Sequence, residues 1–378
     1  MKSRAHFDVL IAGAGPAGTA CATLLASAGL STILFDKARF PRDKICGDCV
    51  NPASWGYFEM LGVAEVLRSL DLRPVESVRI ANLRGNQIVV RVPSVPERPF
   101  FAIQRNVLDN LLLQNAIRKG TRFREETQIL DATFDGTWNV LVRGKDGIEP
   151  YSCDYVIGAD GRNSTVANKI GAWTRAHALN VSKKRIGIQW HADAQFAVGS
   201  EVHLYTMNDG YFGIVNIDGR SSNIAMVTSP VVARTALDSF QDFAERTVYS
   251  NPVFKRFARH IEPHDHIVTT YPINPIRRYW RAKKAYLVGD ARQTVEPFTG
   301  EGIYLSLQDG VRTAHRILKT RRKAQPRQPL PVKRTFWVNK AFSPVLRNHR
   351  MTESMVSLAA KHTGLSNFFG WTVFGLAD

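Results

Sequence analysis

Six residues near the start of the chain have the types and spacing of a phosphate-binding turn. Gly13-Ala14-Gly15-Pro16-Ala17-Gly18 fits the pattern G-x-G-x-x-G, directly after the apolar run FDVLIA and directly before small residues typical of a helix. Gly13 permits the tight turn, Gly15 lets a pyrophosphate approach the backbone, and Gly18 permits close packing of helix on strand. The free N–H groups at the helix start supply partial positive charge for the phosphates.

An acid completes this site at the end of the next apolar run, STILF. Asp36 stands there, where a carboxylate accepts hydrogen bonds from both ribose hydroxyls of an adenosine. The pattern predicts a dinucleotide site and does not by itself separate NAD from FAD. The residues assigned to it are Gly13, Gly15, Pro16, Ala17, Gly18, Asp36 and Lys37.

A second strand–glycine–helix pattern lies far along the chain, at residues 287–303, with the sequence LVGDARQTVEPFTGEGI. Asp290 is positioned to accept a hydrogen bond from a ribityl hydroxyl, and the N–H groups around Gly300 to Ile303 open another helix. Oriented dipoles of that kind stabilise negative charge on a reduced flavin ring. NAD does not require this additional element, whereas FAD does, so the two patterns together predict FAD.

Five motifs carry a family resemblance, because they occur in the right order across residues 8–310. They are GAGPAG, FPRDKICGD, QRNVLDNLL, GADGRNS and GDARQTVEPFTGEGI. Together they resemble the FAD-dependent oxidoreductases of the p-hydroxybenzoate hydroxylase-like superfamily. Within it, the resemblance is to the geranylgeranyl reductase branch and its flavin halogenase relatives.

The resemblance implies roles for the matching residues. Asp36 would bind the adenosine ribose, Arg105 the pyrophosphate or ribityl region, and Asp290 the phosphate–ribityl end of FAD. The residues at the flavin ring, and hence the implied catalytic ones, are Pro297, Gly302 and Ile303. The other implied cofactor contacts are Cys46, Gly47, Asp160 and Gly300, of which Asp160 belongs to a DG signature that is also found as a structural feature.

The patterns predict an α/β fold with three parts. These are a Rossmann-like FAD-binding domain of the glutathione reductase type, an inserted, mostly antiparallel β-sheet substrate domain, and a helical C-terminal segment. The FAD-binding domain is assigned to residues 1–75, 101–174 and 281–320, the substrate domain to 76–100 and 175–280, and the basic helical segment to 321–378.

Aromatic residues on strands of the inserted domain are the predicted lining of an apolar pocket over the flavin. They are Trp190, Tyr205, Tyr211 and Phe212. Prenyl reductases of the family usually carry an aromatic-x-Trp-x-Phe-Pro sequence, and its best counterpart here is GYFGIVNI, at 210–217. Gly213 replaces the Trp, and Val215-Asn216 replace Phe-Pro.

This departure narrowly favours a monooxygenase that hydroxylates an apolar aromatic or lipid-like molecule with reduced flavin and oxygen. The alternative is a flavin-dependent reductase of carbon–carbon double bonds in an isoprenoid or related lipid. A halogenase and a non-enzymatic lipid carrier are the lesser alternatives. NAD(P)H is the expected electron donor. The pair Cys46-x-x-Cys49 is either packing beside the flavin or a dithiol redox centre; a zinc site would need a further ligand pair.

The composition of the chain limits where the protein can be located and what it can bind. No apolar run reaches the roughly 18 residues of a membrane span, and no signal-peptide pattern precedes the first strand, so we expect a cytoplasmic protein. The formal charge is +17, and residues 311–378 hold thirteen Lys or Arg and two acids. That segment is either a solvated basic face or a docking surface for an anionic membrane or an acidic carrier protein. Nucleic acid is disfavoured because no recognition module accompanies the charge.

Overall fold

The computed structural model describes residues 4–93, 95–174, 184–193, 199–257, 261, 263, 266–321, 348–362 and 364–365. Most of the basic segment assigned to residues 321–378 lies outside these ranges. Among the described helices, none has the length and hydropathy that a bilayer-spanning segment requires.

The described elements follow in chain order. The strands are β1 (Ala5–Ala12), β2 (Thr32–Phe35), β3 (Cys49–Val50), β4 (Ser77–Ala81), β5 (Gln87–Arg91), β6 (Phe101–Ala102), β7 (Arg122–Arg124), β8 (Gln128–Phe134), β9 (Trp138–Gly144), β10 (Gly147–Gly158), β11 (Trp173–Thr174), β12 (Ile186–Asp193), β13 (Glu201–Met207), β14 (Gly210–Asn216), β15 (Ser221–Thr228), β16 (Val268–Thr270), β17 (Arg278–Tyr279) and β18 (Ala285–Leu287). The helices are α1 (Pro16–Ser27), α2 (Trp55–Leu61), α3 (Ala64–Arg68), α4 (Arg105–Arg118), α5 (Thr165–Lys169), α6 (Pro230–Asp238), α7 (Phe240–Phe243), α8 (Phe254–Phe257), α9 (Gly302–Thr320) and α10 (His349–Ala359). Short 3₁₀ turns lie at Pro52–Ser54, Gly289–Ala291 and Pro297–Thr299, and a π-helical turn lies at Ala244–Val248.

The first sheet has a dinucleotide-binding topology. Its strands follow the order β7-β2-β1-β10-β9-β8, and β18 pairs with the end of β10. The strands β7, β2, β1, β10 and β18 run parallel, whereas β10, β9 and β8 form an antiparallel meander. This Rossmann-like arrangement, with helices and a second sheet added, confirms the predicted fold class.

Both faces of β1 are buried, which explains its unbroken apolar run. Val9 and Ile11 pack on the face that α1, α4 and α9 cover, against Leu113 and Ile317. Leu10 points to the opposite face, where α5 and the β8–β9 meander contribute the core. Because the carboxyl ends of the parallel strands share one edge of the sheet, the loops that follow them are brought together there.

The second sheet is built from separate stretches of the chain. Its order is β16-β12-β15-β14-β13-β4-β5, and all neighbours are antiparallel except β13 and β4. The strands β4 and β5 precede α4, whereas the others follow α5.

The two faces of this sheet have different surroundings. The helix-covered face packs against α6, α7, the π-helical turn and α8. The opposite face, here called the lobe-facing face, carries Gln189, His191 and Tyr211 and contacts loops of the first lobe. At its edge it also contacts α10, through Val356.

Candidate functional site

Backbone contacts at the first glycine turn leave no room for a side chain at Gly13 or Gly18. Gly13 adopts φ +100°, and its N–H donates to the carbonyl oxygen of Phe35 at 2.7 Å. A Cβ on Gly13 would lie 2.3 Å from the carbonyl oxygen of Ala159, and one on Gly18 would lie 1.9 Å from that of Gly13. The glycines therefore allow the ends of β1, β2 and β10 to meet the start of α1.

The N-terminus of α1 is open. Gly15 is extended (φ −76°, ψ −178°), Pro16 occupies the first turn, and no side-chain hydrogen bond caps the helix. The nearest atom to a Cβ built on Gly15 is Nη2 of Arg42, at 3.7 Å. Free N–H groups and a guanidinium thus face the same space, as an anion site requires. Arg42 was not among the predicted residues, although it lies within the motif FPRDKICGD.

Asp36 is positioned by backbone donors directly after β2. Its Oδ2 accepts from the N–H of Ala14 at 2.8 Å, and its Oδ1 accepts from the N–H of Ala38 at 2.9 Å. Each carboxylate oxygen can accept a further hydrogen bond, so the group retains capacity for ribose hydroxyls. The side chain of Lys37 is exposed, and its contact with a cofactor stays a prediction.

Three cations cluster around one buried acid beside this turn. Arg105 forms a bidentate pair with Asp109 (Nε–Oδ1 2.9 Å, Nη2–Oδ2 2.8 Å), and Nη2 of Arg42 lies 3.3 Å from the same carboxylate. Burial lowers the pKa of Lys44, and the charge of Arg105 lowers it further, while Asp290 opposes both effects. The excess positive charge of this cluster suits a pyrophosphate.

Cys46 attaches the motif FPRDKICGD to the lobe-facing face of the second sheet. Its N–H donates to Oε1 of Gln189 at 2.9 Å, and its carbonyl oxygen accepts from Nδ2 of Asn223 at 2.8 Å. The neighbouring Gly47 is exposed. Burial raises the pKa of the thiols of Cys46 and Cys49, so both favour the protonated form. Neither thiol has the thiolate character of a redox-active cysteine.

Asp48 is a buried acid with an unusual backbone in the same segment. It adopts φ +54°, is 1% exposed, and its Oδ2 lies 3.4 Å from Nε2 of His191. Its Oδ1 is buried and has no hydrogen-bond partner among the described residues. Burial raises the pKa of Asp48, although the hydrogen bond with His191 opposes that rise. Both residues line a cavity together with Lys44 and Arg105, so this pair adds to the site that the sequence predicts.

Asp160 has a local structural role next to the first turn. Its Oδ1 accepts from the hydroxyl of Ser164, and its Oδ2 accepts from the N–H of Val166 at 3.1 Å. The hydroxyl of Ser164 in turn caps α5 by accepting from the N–H of Ala167 at 2.9 Å. These bonds fix the start of α5, and a direct contact between Asp160 and a cofactor stays a prediction.

The late segment packs directly on the first turn. Gly289 adopts φ +56°, and a Cβ there would lie 2.9 Å from the Cβ of Ala17. A Cβ on Gly310, within α9, would lie 2.2 Å from the carbonyl oxygen of Ala17. Asp290 is half-buried and interacts electrostatically with Lys44. The segments around Gly13, Asp160 and Asp290 therefore converge at one end of the first sheet.

The start of α9 is as open as that of α1. The N-cap position is Glu301, no side-chain hydrogen bond caps the helix there, and a Cβ on Gly300 or Gly302 would meet nothing within 4 Å. Pro297 and Gly302 are exposed, whereas the side chain of Ile303 packs in the core. Ile303 is therefore suited to contribute its N–H to a ligand and not its side chain.

Of the four predicted pocket residues, only Tyr211 lies on the lobe-facing face. Its hydroxyl donates to Oε1 of Glu296 at 2.7 Å, and its ring makes an edge contact with Phe298 (centroids 5.0 Å apart). The residues on the helix-covered face, each at most 1% exposed, are Trp190, Tyr205 and Phe212. The sheet separates the side chains of Tyr205 and Phe212 from the cofactor loops, because successive residues of a strand face opposite sides. Their placement is that of core residues. Trp190 packs in the same core and also lines the cavity of Lys44, Asp48 and Arg105.

These features fit FAD. The two uncapped helix starts and the cluster of Arg42, Lys44 and Arg105 supply the positive charge that the phosphates require. Asp36 and Asp290 are acceptors of the kind predicted for the adenosine ribose and the ribityl chain. Within the described ranges, no group of His, Cys, Asp and Glu has the arrangement of a metal site.

Comparisons with known proteins agree with this geometry and confirm the family resemblance. Residues 6–328 match the family model described as FAD binding domain. The chain is 28% identical over 324 residues to the menaquinone reductase of Mycolicibacterium smegmatis, covering 82% of this chain and 75% of that protein. It is 28% identical over 318 residues to the digeranylgeranylglycerophospholipid reductase 1 of Methanothermobacter thermautotrophicus, covering 80% and 75%. A geranylgeranyl bacteriochlorophyll reductase-like structure from Thermoplasma acidophilum matches with a TM-score of 0.76 at 16% identity, covering 99% of this chain and 98% of that one.

Proposed function

Because this chain belongs to the FAD-binding domain family, we propose that it is an FAD-dependent oxidoreductase that reduces carbon–carbon double bonds of an isoprenoid lipid. The oxidoreductase class agrees with the sequence analysis. The choice of reaction reverses its order of preference, which narrowly favoured hydroxylation.

The observation that carries the proposal is the apolar cluster on the lobe-facing face near the start of α9. Buried residues of that face and of the facing loop include Leu204, Val227, Ile273 and Phe298. This cluster, beside the polar groups of Gln189 and His191 on the same face, suits the prenyl chain of a substrate better than a wholly polar molecule. Two relatives support the same class of reaction, since they are named as reductases of menaquinone and of a digeranylgeranylglycerophospholipid.

The chain's own groups divide the remaining work. Bound, reduced FAD is the source of the hydride that one carbon of the double bond receives. The free N–H groups at the start of α9 stabilise negative charge next to Gly302. The second carbon needs a proton, and the buried carboxyl of Asp48, linked to His191, is a group that can hold it. Hydride and proton together saturate the bond. We propose NAD(P)H as the donor that reduces FAD.

Anaerobic product analysis tests this function. The protein is reconstituted with FAD, reduced with dithionite and mixed with menaquinone or with geranylgeranyl lipids. The masses of the products are then measured by mass spectrometry. After reoxidation of the quinone ring in air, a product whose isoprenoid chain is heavier by two hydrogen atoms is expected. In the variant Asp48→Asn, FAD remains bound and turnover falls at least tenfold. A product that forms only in air and is heavier by one oxygen atom would overturn the reductase proposal.

That second outcome belongs to the monooxygenase, and one observation favours it. Prenyl reductases usually place a Trp at the position of Gly213, where a Cβ would lie 2.9 Å from Cδ2 of Leu204. The leucine side chain therefore occupies space that a Trp would need, so this part of the lobe-facing face differs from the reductase pattern. Oxygen consumption that depends on substrate is the measurement that separates the two.

We also propose that the basic C-terminal segment docks on an anionic membrane surface. In its described part, α10 exposes Met351 (48%) and Leu358 (54%) next to the exposed cations Arg350 and Lys361. A helix face that joins apolar and cationic residues suits an anionic bilayer, where an isoprenoid substrate would reside.

Sedimentation with phosphatidylserine vesicles tests this docking. Binding is expected at low salt and is expected to fall in Arg350→Glu/Lys361→Glu, in high salt and on neutral vesicles. Equal binding by the double variant would reject it. Salt-sensitive binding to an acidic carrier protein instead of vesicles would assign the segment to that partner.

A further inference from the structure

A buried ion pair and a tyrosine join the second sheet to the loop that precedes α9. Glu296, which is 3% exposed, accepts two parallel hydrogen bonds from Arg185 (Nη1–Oε1 3.1 Å, Nη2–Oε2 2.8 Å). The hydroxyl of Tyr211 donates to the same carboxylate at 2.7 Å. Arg185 directly precedes β12 and Tyr211 belongs to β14, so two strands of the second sheet hold one acid of the first lobe.

The backbone of the loop takes part in the same contact. The N–H of Phe298 approaches the hydroxyl oxygen of Tyr211, and the two rings meet edge to face. Glu296 immediately precedes the turn Pro297–Thr299, which leads through Gly300 into α9. The acid therefore controls where this turn lies relative to the second sheet.

The charge states of Tyr211 and Arg185 follow from their surroundings. Burial and the neighbouring Glu296 raise the pKa of Tyr211 far above its usual value, so its hydroxyl stays a donor. Burial lowers the pKa of Arg185, but the bonds with Glu296 outweigh that effect, so the guanidinium stays charged. Removing one member of such a buried pair leaves the other charge uncompensated in a medium of low polarity.

We propose that Glu296, Arg185 and Tyr211 form a clamp beside the start of α9 whose balanced charge sets the reduction potential of bound FAD. With both partners present, the clamp adds no net charge next to the N–H groups at Gly302. The inference requires bound FAD and is independent of the proposed lipid substrate. It would therefore survive if the protein proved to be a hydroxylase.

The test is the midpoint potential of bound FAD, measured in two variants that change the charge of the clamp in opposite directions. In Glu296→Gln, the uncompensated guanidinium favours the anionic reduced flavin and raises the midpoint potential. In Arg185→Gln, the loss of the positive charge lowers it. The double variant returns towards the wild-type value. A residue that only stabilises the fold would shift both single variants in the same direction.

Two further variants serve as controls. Glu201→Gln removes a carboxylate from the Arg79–Glu201 pair on the same sheet (Nε–Oε2 2.9 Å), away from the loop, and is expected to leave the potential unchanged. Tyr211→Phe changes no charge and is expected to change the potential least among the clamp variants. Shifts of the same sign in both charge variants, or no shift in either, would overturn the proposal.

Amide hydrogen exchange decides the case if a charge variant loses FAD. In the FAD-free Tyr211→Phe protein, we expect faster exchange at Phe298 and through the turn to Gly302, with β15 unchanged, because the variant releases the loop and leaves the sheet intact. Equal exchange rates in wild type and variant would reject the clamp.

Discussion

The two glycine turns of this protein share a pattern and differ in the reason for their glycines. At the first turn, a Cβ on Gly13 or Gly18 would collide with backbone atoms at 2.3 Å and 1.9 Å. At the second turn, a Cβ on Gly300 or Gly302 would meet nothing within 4 Å. The first turn needs glycine so that the strand and helix can pack, whereas the second leaves space beside an uncapped helix.

This difference separates folding from binding. Substitution at Gly13 or Gly18 is opposed by the protein itself, so stability and cofactor affinity fall together. Substitution at Gly302 is opposed only by what binds there, so affinity falls alone. Gly300 is intermediate, because its φ of +66° is strained for any other residue although space is free around it.

Gly18→Ala should have the largest effect. Its Cβ would lie 1.9 Å from the carbonyl oxygen of Gly13 and 3.1 Å from Cβ of Ala159. Neither the strand end nor the helix can move away freely, so we expect a loss of about 3 kcal/mol or more in the free energy of unfolding. FAD binding should be lost with it. Urea unfolding of the FAD-free protein is the measurement.

Gly15→Ala is the matched control within the same turn. Its Cβ would lie 3.7 Å from Arg42 Nη2, and its φ of −76° is accessible to alanine. The FAD-free protein should keep its stability within about 0.5 kcal/mol, while FAD affinity falls by about tenfold, or 1.4 kcal/mol. If both variants unfolded at the same urea concentration, steric crowding would not be what makes the first turn different.

Gly302→Ala and Gly300→Ala test the second turn with a smaller effect. For Gly302 we expect a change of less than about 1 kcal/mol in the free energy of unfolding, since alanine is at least as good a helix former. For Gly300 we expect a loss of about 1 to 2 kcal/mol from the left-handed backbone. Both should weaken FAD binding, which flavin fluorescence measures. Wild-type affinity in Gly302→Ala would remove this residue from the site.

The sequence predicts those parts of the site whose residues lie close together in the chain. The turn at Gly13, the acid at Asp36 and the late turn at Gly300 are each set by a short stretch of residues, and one stretch suffices to identify them. The contacts of Cys46 with Gln189 and of Asp48 with His191 join residues far apart in the chain. No local pattern encodes such pairs, so they emerge only when the second sheet is placed on the first lobe.

The predicted pocket residues show what strand alternation can and cannot decide. Tyr211 and Phe212 are neighbours on β14, so they must face opposite sides of the sheet, and no pocket on one face can include both. Which of them faces the cofactor loops depends on how the lobes pack. Tyr205 and Phe212 share a face because they are directly opposite each other on β13 and β14. Alternation therefore predicts the grouping, and tertiary packing decides the side.

The smallest expected effect concerns the ion network around Glu201. This network lies away from both glycine turns, so it serves as the reference against which the effects at the turns are judged. Burial would raise the pKa of Glu201, but hydrogen bonds from Arg79, Ser77 and His203 outweigh it and lower the pKa from 4.5 to about 2. A depressed folded-state pKa adds stability above pH 4.5 that is lost as the pH falls to about 2. In Glu201→Gln, the free energy of unfolding should therefore fall less than in wild type as the pH is lowered over that range. FAD affinity at neutral pH should be unchanged. The effect is small because the pair is partly exposed to solvent.

Urea unfolding of the wild type and of the variant at a series of pH values measures this difference. Parallel curves would show that Glu201 is no more acidic in the folded chain than in the unfolded one.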